Sequence, residues 1–215
     1  MTMQQFLGQH TANALKACEH LGSRWHAFSR LYRNVFYRPM VAKEIKLADV
    51  ERGNRVLHLG CGPLPLTALS LAEAGFQVDA VDRDPRAVES ATRVVRANGL
   101  QRRIRVIRAD GRGIDCQFYD AVWVSFHVSP RRQCLERILS TLKKGGKVVY
   151  RNPSGWRTRY YSHVDPQHLG HAELRSTRQA FSKETVMIQK SGQMGGKSYE
   201  DTHAVRSMPG EAATG

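Results

Sequence analysis

Along residues 3–48 the apolar positions keep helical time. Leu7, Leu15, Cys18, Leu21, Trp25, Phe28, Tyr32 and Val35 fall three or four apart, or at multiples of these. The spacing predicts helices, with a break at Gly22-Ser23 where Ser23 can cap a new start. Pro39 then predicts one more short helix, Met40 to Asp49. From residue 55 the pattern changes to short apolar runs separated by helical stretches. Val56–Leu59, Phe76–Val81, Ile104–Arg108, Tyr119–Val124 and Lys147–Tyr150 read as strands, and Leu66–Ala74, Pro85–Asn98 and Pro130–Leu142 as helices. Asp84 is placed to cap the second of these and Gly99 to end it. Glu173–Phe181 and Lys183–Lys190 read as a closing strand pair, and the small polar residues of 191–215 as a flexible tail.

Short apolar strands alternating with helices predict an α/β fold: a doubly wound, mostly parallel sheet covered on both faces. The expected organisation is an N-terminal helical cap over residues 1–50, a Rossmann-like domain over 51–190 and the tail. A chain of 215 residues with 41% apolar content is long enough for one such core. No run approaches the ~18 apolar residues of a membrane span, and the N-terminus lacks the pattern of a signal peptide. Cys18, Cys61, Cys116 and Cys134 are scattered without a C-x-x-C pair, so neither a zinc site nor a disulfide framework is expected, and a cytoplasmic location is. The net charge of +14 raises the question of a nucleic-acid partner. The basic residues are spread along the chain, with only short clusters near Arg102–Arg108 and Arg151–Arg159, which favours a small-molecule substrate. Nothing in the pattern specifies an oligomeric state.

The chemistry concentrates at the strand ends. The first strand runs into Gly60-Cys61-Gly62-Pro63-Leu64-Pro65-Leu66-Thr67. Glycines allow a sharp turn and close approach of a ligand, and the following helix offers free N–H groups. Asp82 ends the second strand, 22 positions after Gly60, where a carboxylate can accept from both hydroxyls of a ribose; Arg83 lies beside it. Asp110-Gly111 follows the third strand. Pro63 and Pro65 remove two N–H donors that a pyrophosphate would use, so a dinucleotide fits less well than S-adenosylmethionine (SAM), which has no phosphate. Together these features resemble the class I SAM-methyltransferase site, in which the Asp110 position meets the adenine amino group. Ordinary methyltransferases carry an acid two residues before the first glycine, holding the methionine end; here that position is His58.

The loop is similar to the G-x-G-P-L-P-L-T loop of nicotianamine synthases and their bacterial metallophore relatives, which also lack that acid. Arg151-Asn152-Pro153-Ser154-Gly155-Trp156-Arg157 through Tyr161, Val164, Asp165 and Pro166 resembles the family's segment after the fifth strand. Phe36-Tyr37 through Ala42 and Glu44 resembles its tyrosine-rich element. The resemblance implies attack at Cγ of the 3-amino-3-carboxypropyl arm of SAM, with methylthioadenosine as leaving group. In that reading Arg151, Arg157 or Arg159 clamps the arm's carboxylate, and Tyr37 and Tyr161 face the sulfonium or the arm's amino group. Ser125, Phe126 and His127 end the fourth strand beside the reacting centre, with His127 as a candidate general base. Only about fifty residues precede the first strand, fewer than in nicotianamine synthases. The expected outcomes are therefore transfer to a small amine or closure of SAM's own arm to azetidine-2-carboxylate. A small-molecule methyltransferase, and an RNA-binding or RNA-modifying protein, are the alternatives.

Overall fold

The computed structural model describes residues 33–154, 158–159, 163–169, 173–179 and 183–191. The helices expected over residues 3–32, Arg157, Tyr161 and the tail beyond Ser191 lie outside the described residues. A five-residue π-type turn, Arg33–Tyr37, runs directly into helix α1, Arg38–Ala48. Strands β1 (Arg55–Leu59), β2 (Gln77–Asp82), β3 (Ile104–Arg108) and β4 (Ala121–Val124) alternate with helices α2 (Leu66–Glu73) and α3 (Pro85–Ala97). Helix α4 (Arg131–Thr141) leads to β5 (Lys147–Pro153), and β6 (Glu173–Gln179) and β7 (Lys183–Gln189) close the sheet.

The strand order is β3-β2-β1-β4-β5-β7-β6. The first five strands are parallel, and β7 is antiparallel to both β5 and β6. Burial explains the strand composition: β1 is buried at four of five positions and β4 at all four, as expected of strands covered on both faces. One face packs Val56, Trp123, Val149 and Met187 against α1, α2 and α3. The opposite face packs Leu57, Val122, Val148 and Ile188 against α4. α3 begins as its sequence predicts: the Asp84 carboxylate accepts from the Arg86 N–H at 2.9 Å, Pro85 follows, and Gly99 turns away at φ +69°.

β5 extends three residues beyond the expected Tyr150, because Arg151, Asn152 and Pro153 pair with Thr185, Glu184 and Lys183 of β7. Asn152, fully buried, donates to the Val164 carbonyl at 2.8 Å and accepts from the Val164 N–H at 3.1 Å. That side chain mimics a strand neighbour and pins the returning chain at Val164-Asp165-Pro166. Among the described residues no helix is long and apolar enough to cross a membrane.

Candidate active site at the carboxyl ends of the strands

The glycine loop is built by continuing β1 onto β2. Gly60 and Cys61 both donate to the Val81 carbonyl, at 2.8 and 2.9 Å. Gly60 has φ +74°, and a Cβ placed there would sit 2.6 Å from Cγ2 of Val128 and 3.3 Å from Cβ of Ser125. Both the backbone angle and the space require glycine. Gly62, at φ +66°, turns its N–H onto the Asp82 carboxylate at 2.8 Å. Pro63 is buried, and Pro65 stands at the start of α2. The Cys61 thiol is buried, and burial together with the nearby Asp82 charge pushes its pKa well above the ordinary range, so it packs as a small apolar group.

Asp82 is not the cap of α3, since Asp84 does that. Its second oxygen accepts from the Asp84 N–H at 3.0 Å. An ionised carboxylate has about four acceptor positions, so two remain for a ligand at the end of β2. Asp110 instead accepts from the Arg112 side chain, from Nη2 at 2.6 Å and Nε at 3.0 Å, and from the Arg112 N–H at 2.9 Å. Those bonds hold its carboxyl well below the usual carboxylate range. Gly111 follows it, packed so closely on Leu59 that a Cβ would come within 2.7 Å of both terminal methyls. Arg83 is exposed and reaches the Ser129 carbonyl at 3.5 Å.

Alternation along the strands puts a polar row on the α1/α2 face, one step beyond its apolar core. His58 follows Val56 on β1, Ser125 follows Trp123 beyond β4, Arg151 follows Val149 on β5, and Thr185 precedes Met187 on β7. Glu44 of α1 and Thr67 of α2 cover the row. Arg151 is forked onto Glu44, Nε to Oε1 at 2.7 Å and Nη2 to Oε2 at 2.8 Å, and Nη2 also reaches the Thr67 hydroxyl at 3.3 Å. The Thr185 hydroxyl donates to the same Glu44 at 3.1 Å. Burial alone would weaken the Arg151 charge, but the Glu44 carboxylate and the nearby Tyr37 more than offset it and raise its pKa.

His58 Nε2 lies 2.8 Å from Ser125 Oγ. Burial, reinforced by the Arg151 charge, lowers the imidazole pKa to about 3, so His58 is neutral at ordinary pH. Phe126 is buried, with the exposed His127 ring set edge-on at 5.6 Å. The buried Arg131 braces the floor by donating to the carbonyls of Phe126 and Arg151, at 3.3 and 2.9 Å.

The structure thus gathers Gly60, Cys61, Gly62, Pro63, Asp82 and Ser125 around one loop, with Arg151 covered by α1 and close to Tyr37 at the start of that helix. Asp110, Gly111, Arg83 and His127 line the rim at the neighbouring strand ends. Thr185 escaped the sequence reading as a site residue, and Glu44 and Thr67 entered it only as members of the two resembling motifs, without a role of their own. One signal for Glu44 was available: Val41, Glu44 and Ala48 share the buried stripe of α1, so a charge stands where the helical period demands an apolar residue.

Residues 3–188 match the family described as Nicotianamine synthase protein. An L-histidine 2-aminobutanoyltransferase of Yersinia pestis is 29% identical over 123 residues, covering 57% of this chain and 46% of that protein. Nicotianamine synthase 9 of Hordeum vulgare is 29% identical over 154 residues, covering 61% of this chain and 45% of its own. The chain therefore spans about half the length of these two relatives. Among solved structures, a mutant of MtNAS in complex with S-adenosylmethionine superposes with a TM-score of 0.73 at 21% identity, over 87% of this chain and 77% of that one. The S-adenosylmethionine-dependent methyltransferase SibL, in its apo form, gives 0.58 at 21% identity, over 77% and 56%. These likenesses show the class I SAM-methyltransferase fold, as the strand pattern predicts.

Proposed function

The chain belongs to the nicotianamine synthase family, and from that premise we propose that it binds SAM over the Gly60 loop and directs attack to Cγ of the aminocarboxypropyl arm, releasing methylthioadenosine. The observation that carries this reading is the loop itself: a glycine cradle that any side chain would fill, hinged by Gly62 onto Asp82. The ligand's sulfonium supplies the electrophile. The chain's residues orient it. Asp82 offers its remaining acceptor positions to the ribose at the end of β2. With the nucleoside there, the amino-acid arm runs across Gly60 toward β4 and β5. That path leads to Ser125 and to the Glu44–Arg151 pair near Tyr37. Asp110 meets the adenine amino group by sharing its carboxylate with Arg112, and Phe126, Gly111 and Arg83 wall the nucleoside.

In-line attack requires the nucleophile, Cγ and sulfur to be collinear, so product identity is a matter of placement. The nucleophile is an amine: either a small acceptor, which makes the reaction an aminobutanoyl transfer, or SAM's own α-amino group, which closes azetidine-2-carboxylate. Tyr161 and His127 stand as candidates to hold or deprotonate it. One assay decides the class. Purified protein is incubated with SAM, with and without histidine or another small amine, and the nucleoside is identified by chromatography. Methylthioadenosine is the expected product, and S-adenosylhomocysteine would instead establish methyl transfer. Methylthioadenosine formed without any added amine, together with the four-membered imino acid, identifies cyclisation.

A further inference from the structure

The position that carries an acid in ordinary methyltransferases carries His58 here, and the imidazole is tied to a single group, the Ser125 hydroxyl at 2.8 Å. Its other nitrogen, Nδ1, is buried without a hydrogen-bond partner among the described residues. The tautomer follows from that asymmetry. A buried N–H left unpaired is rarer than a bare acceptor. The residue register-paired with His58 on β4 is Trp123, whose indole nitrogen is also buried and unpartnered and can only donate. This face therefore already holds an unanswered donor, and a second one at Nδ1 would compound the cost. Nδ1 is assigned as the acceptor and Nε2 as the protonated nitrogen, which donates to Ser125 Oγ. With one lone pair of Oγ committed, the Ser125 proton points elsewhere.

The position of Oγ decides what that proton can reach. The Ser125 N–H is held by the Leu59 carbonyl at 3.0 Å, and Oγ lies 4.0 Å from where a Cβ of Gly60 would stand. The hydroxyl thus sits at the lip of the glycine cradle, on the β4 side, away from Asp82. The amino-acid end of the ligand offers two groups there: an ammonium, which only donates, and a carboxylate, which only accepts. We propose that His58 is a positioning residue that turns Ser125 into a hydrogen-bond donor for the carboxylate of the ligand's amino-acid arm. The inference rests on the SAM reading of the loop and deepens it. The usual acid at this position would answer the arm's positive group; the His58–Ser125 pair answers the negative one.

The test uses three unreactive ligands, measured by calorimetry on the full chain: S-adenosylhomocysteine, its decarboxylated analogue and methylthioadenosine. For Ser125→Ala the expected result is a loss of about tenfold or more in affinity for S-adenosylhomocysteine, the scale of a hydrogen bond to a charged group. The other two ligands, which lack the carboxylate, should change less than twofold, and their retention reports an intact fold. Should the alanine variant fail to fold, Ser125→Cys keeps the volume, weakens the donor and carries the same expectation. His58→Phe should weaken S-adenosylhomocysteine selectively, and the double variant should be no worse than Ser125→Ala alone, since His58 acts through Ser125. Equal losses for the carboxylated and decarboxylated ligands, no loss at all, or losses that multiply in the double variant would overturn the proposal. A parent protein that binds none of the three overturns the SAM reading as well, so the two failures are distinguished.

Discussion

Among the described histidines, His58 is the one that the fold withholds from water. Its folded pKa of about 3 lies below the ordinary 6.5, so between these values the unfolded chain takes up a proton that the folded chain refuses. Stability from this residue is complete well above pH 6.5 and falls as the solution is acidified, by up to about 1.4 kcal/mol per pH unit between the two values. Urea unfolding at pH 6, 5 and 4 should approach that slope, and His58→Phe should remove that share of it. Glu44 gives the second test at this scale. Replacing it with glutamine leaves the Arg151 guanidinium buried without a counter-charge, which costs about 3–5 kcal/mol. Chemical denaturation of Glu44→Gln against the parent measures the cost. Neither interaction was legible from the sequence: the partners stand 67 and 107 positions apart. Periodicity reveals which face a residue occupies, not what the opposite element brings to meet it.

At the scale of elements, the strands and helices between residues 55 and 150 follow their apolar pattern to within a few residues. The misreading at β5 has a definite cause. Arg151 and Asn152 are polar, so the apolar run stops at Tyr150, yet both are buried because Glu44 and Val164 satisfy them. Asn152 substitutes a side-chain amide for a strand neighbour. Asn152→Ala leaves the Val164 N–H and carbonyl without that partner, at a cost of about 1–3 kcal/mol. Limited proteolysis should then cut within residues 154–172 faster than in the parent, while the other strand connections keep their resistance.

Taken as a whole molecule, the sheet has two differently built rims. The carboxyl rim holds the glycine loop and the polar row. At the amino rim Asp79 of β2 ties three strands together. It accepts from Arg105 at 2.9 Å on both oxygens, from Arg55 at 2.7 Å, and from the Tyr119 hydroxyl at 2.8 Å. Burial opposes ionisation of Asp79, but these bonds prevail and hold its carboxyl below the usual range. Its contribution is therefore present above the unfolded carboxylate value of about 4 and is lost as pH falls through the lower folded value. Asp79→Ala should lower the unfolding midpoint and leave the nucleoside product unchanged, since the residue lies at the far end of the strands; thermal denaturation beside the product assay checks both. The fold class was legible because repeated local patterns specify it, and the cradle because its glycines and carboxylate follow one another at strand ends. The clamps on either rim were not, because each joins residues that only the strand order brings together.

The strand order also has a consequence in time. Glu44 is made early, and its two partners come from β5 and β7, 107 and 141 positions later. Synthesis runs from the amino end, so while β1 to β4 emerge, the Glu44 carboxylate has nothing to neutralise it and α1 gains little by burying it. Such distant pairings close late, after the chain entropy between them has been spent. The clamp that holds helix α1 over the sheet is complete only once the seventh strand has emerged and paired with the fifth. A nascent chain interrupted before Thr185 therefore carries the glycine loop with the clamp beside it unfinished.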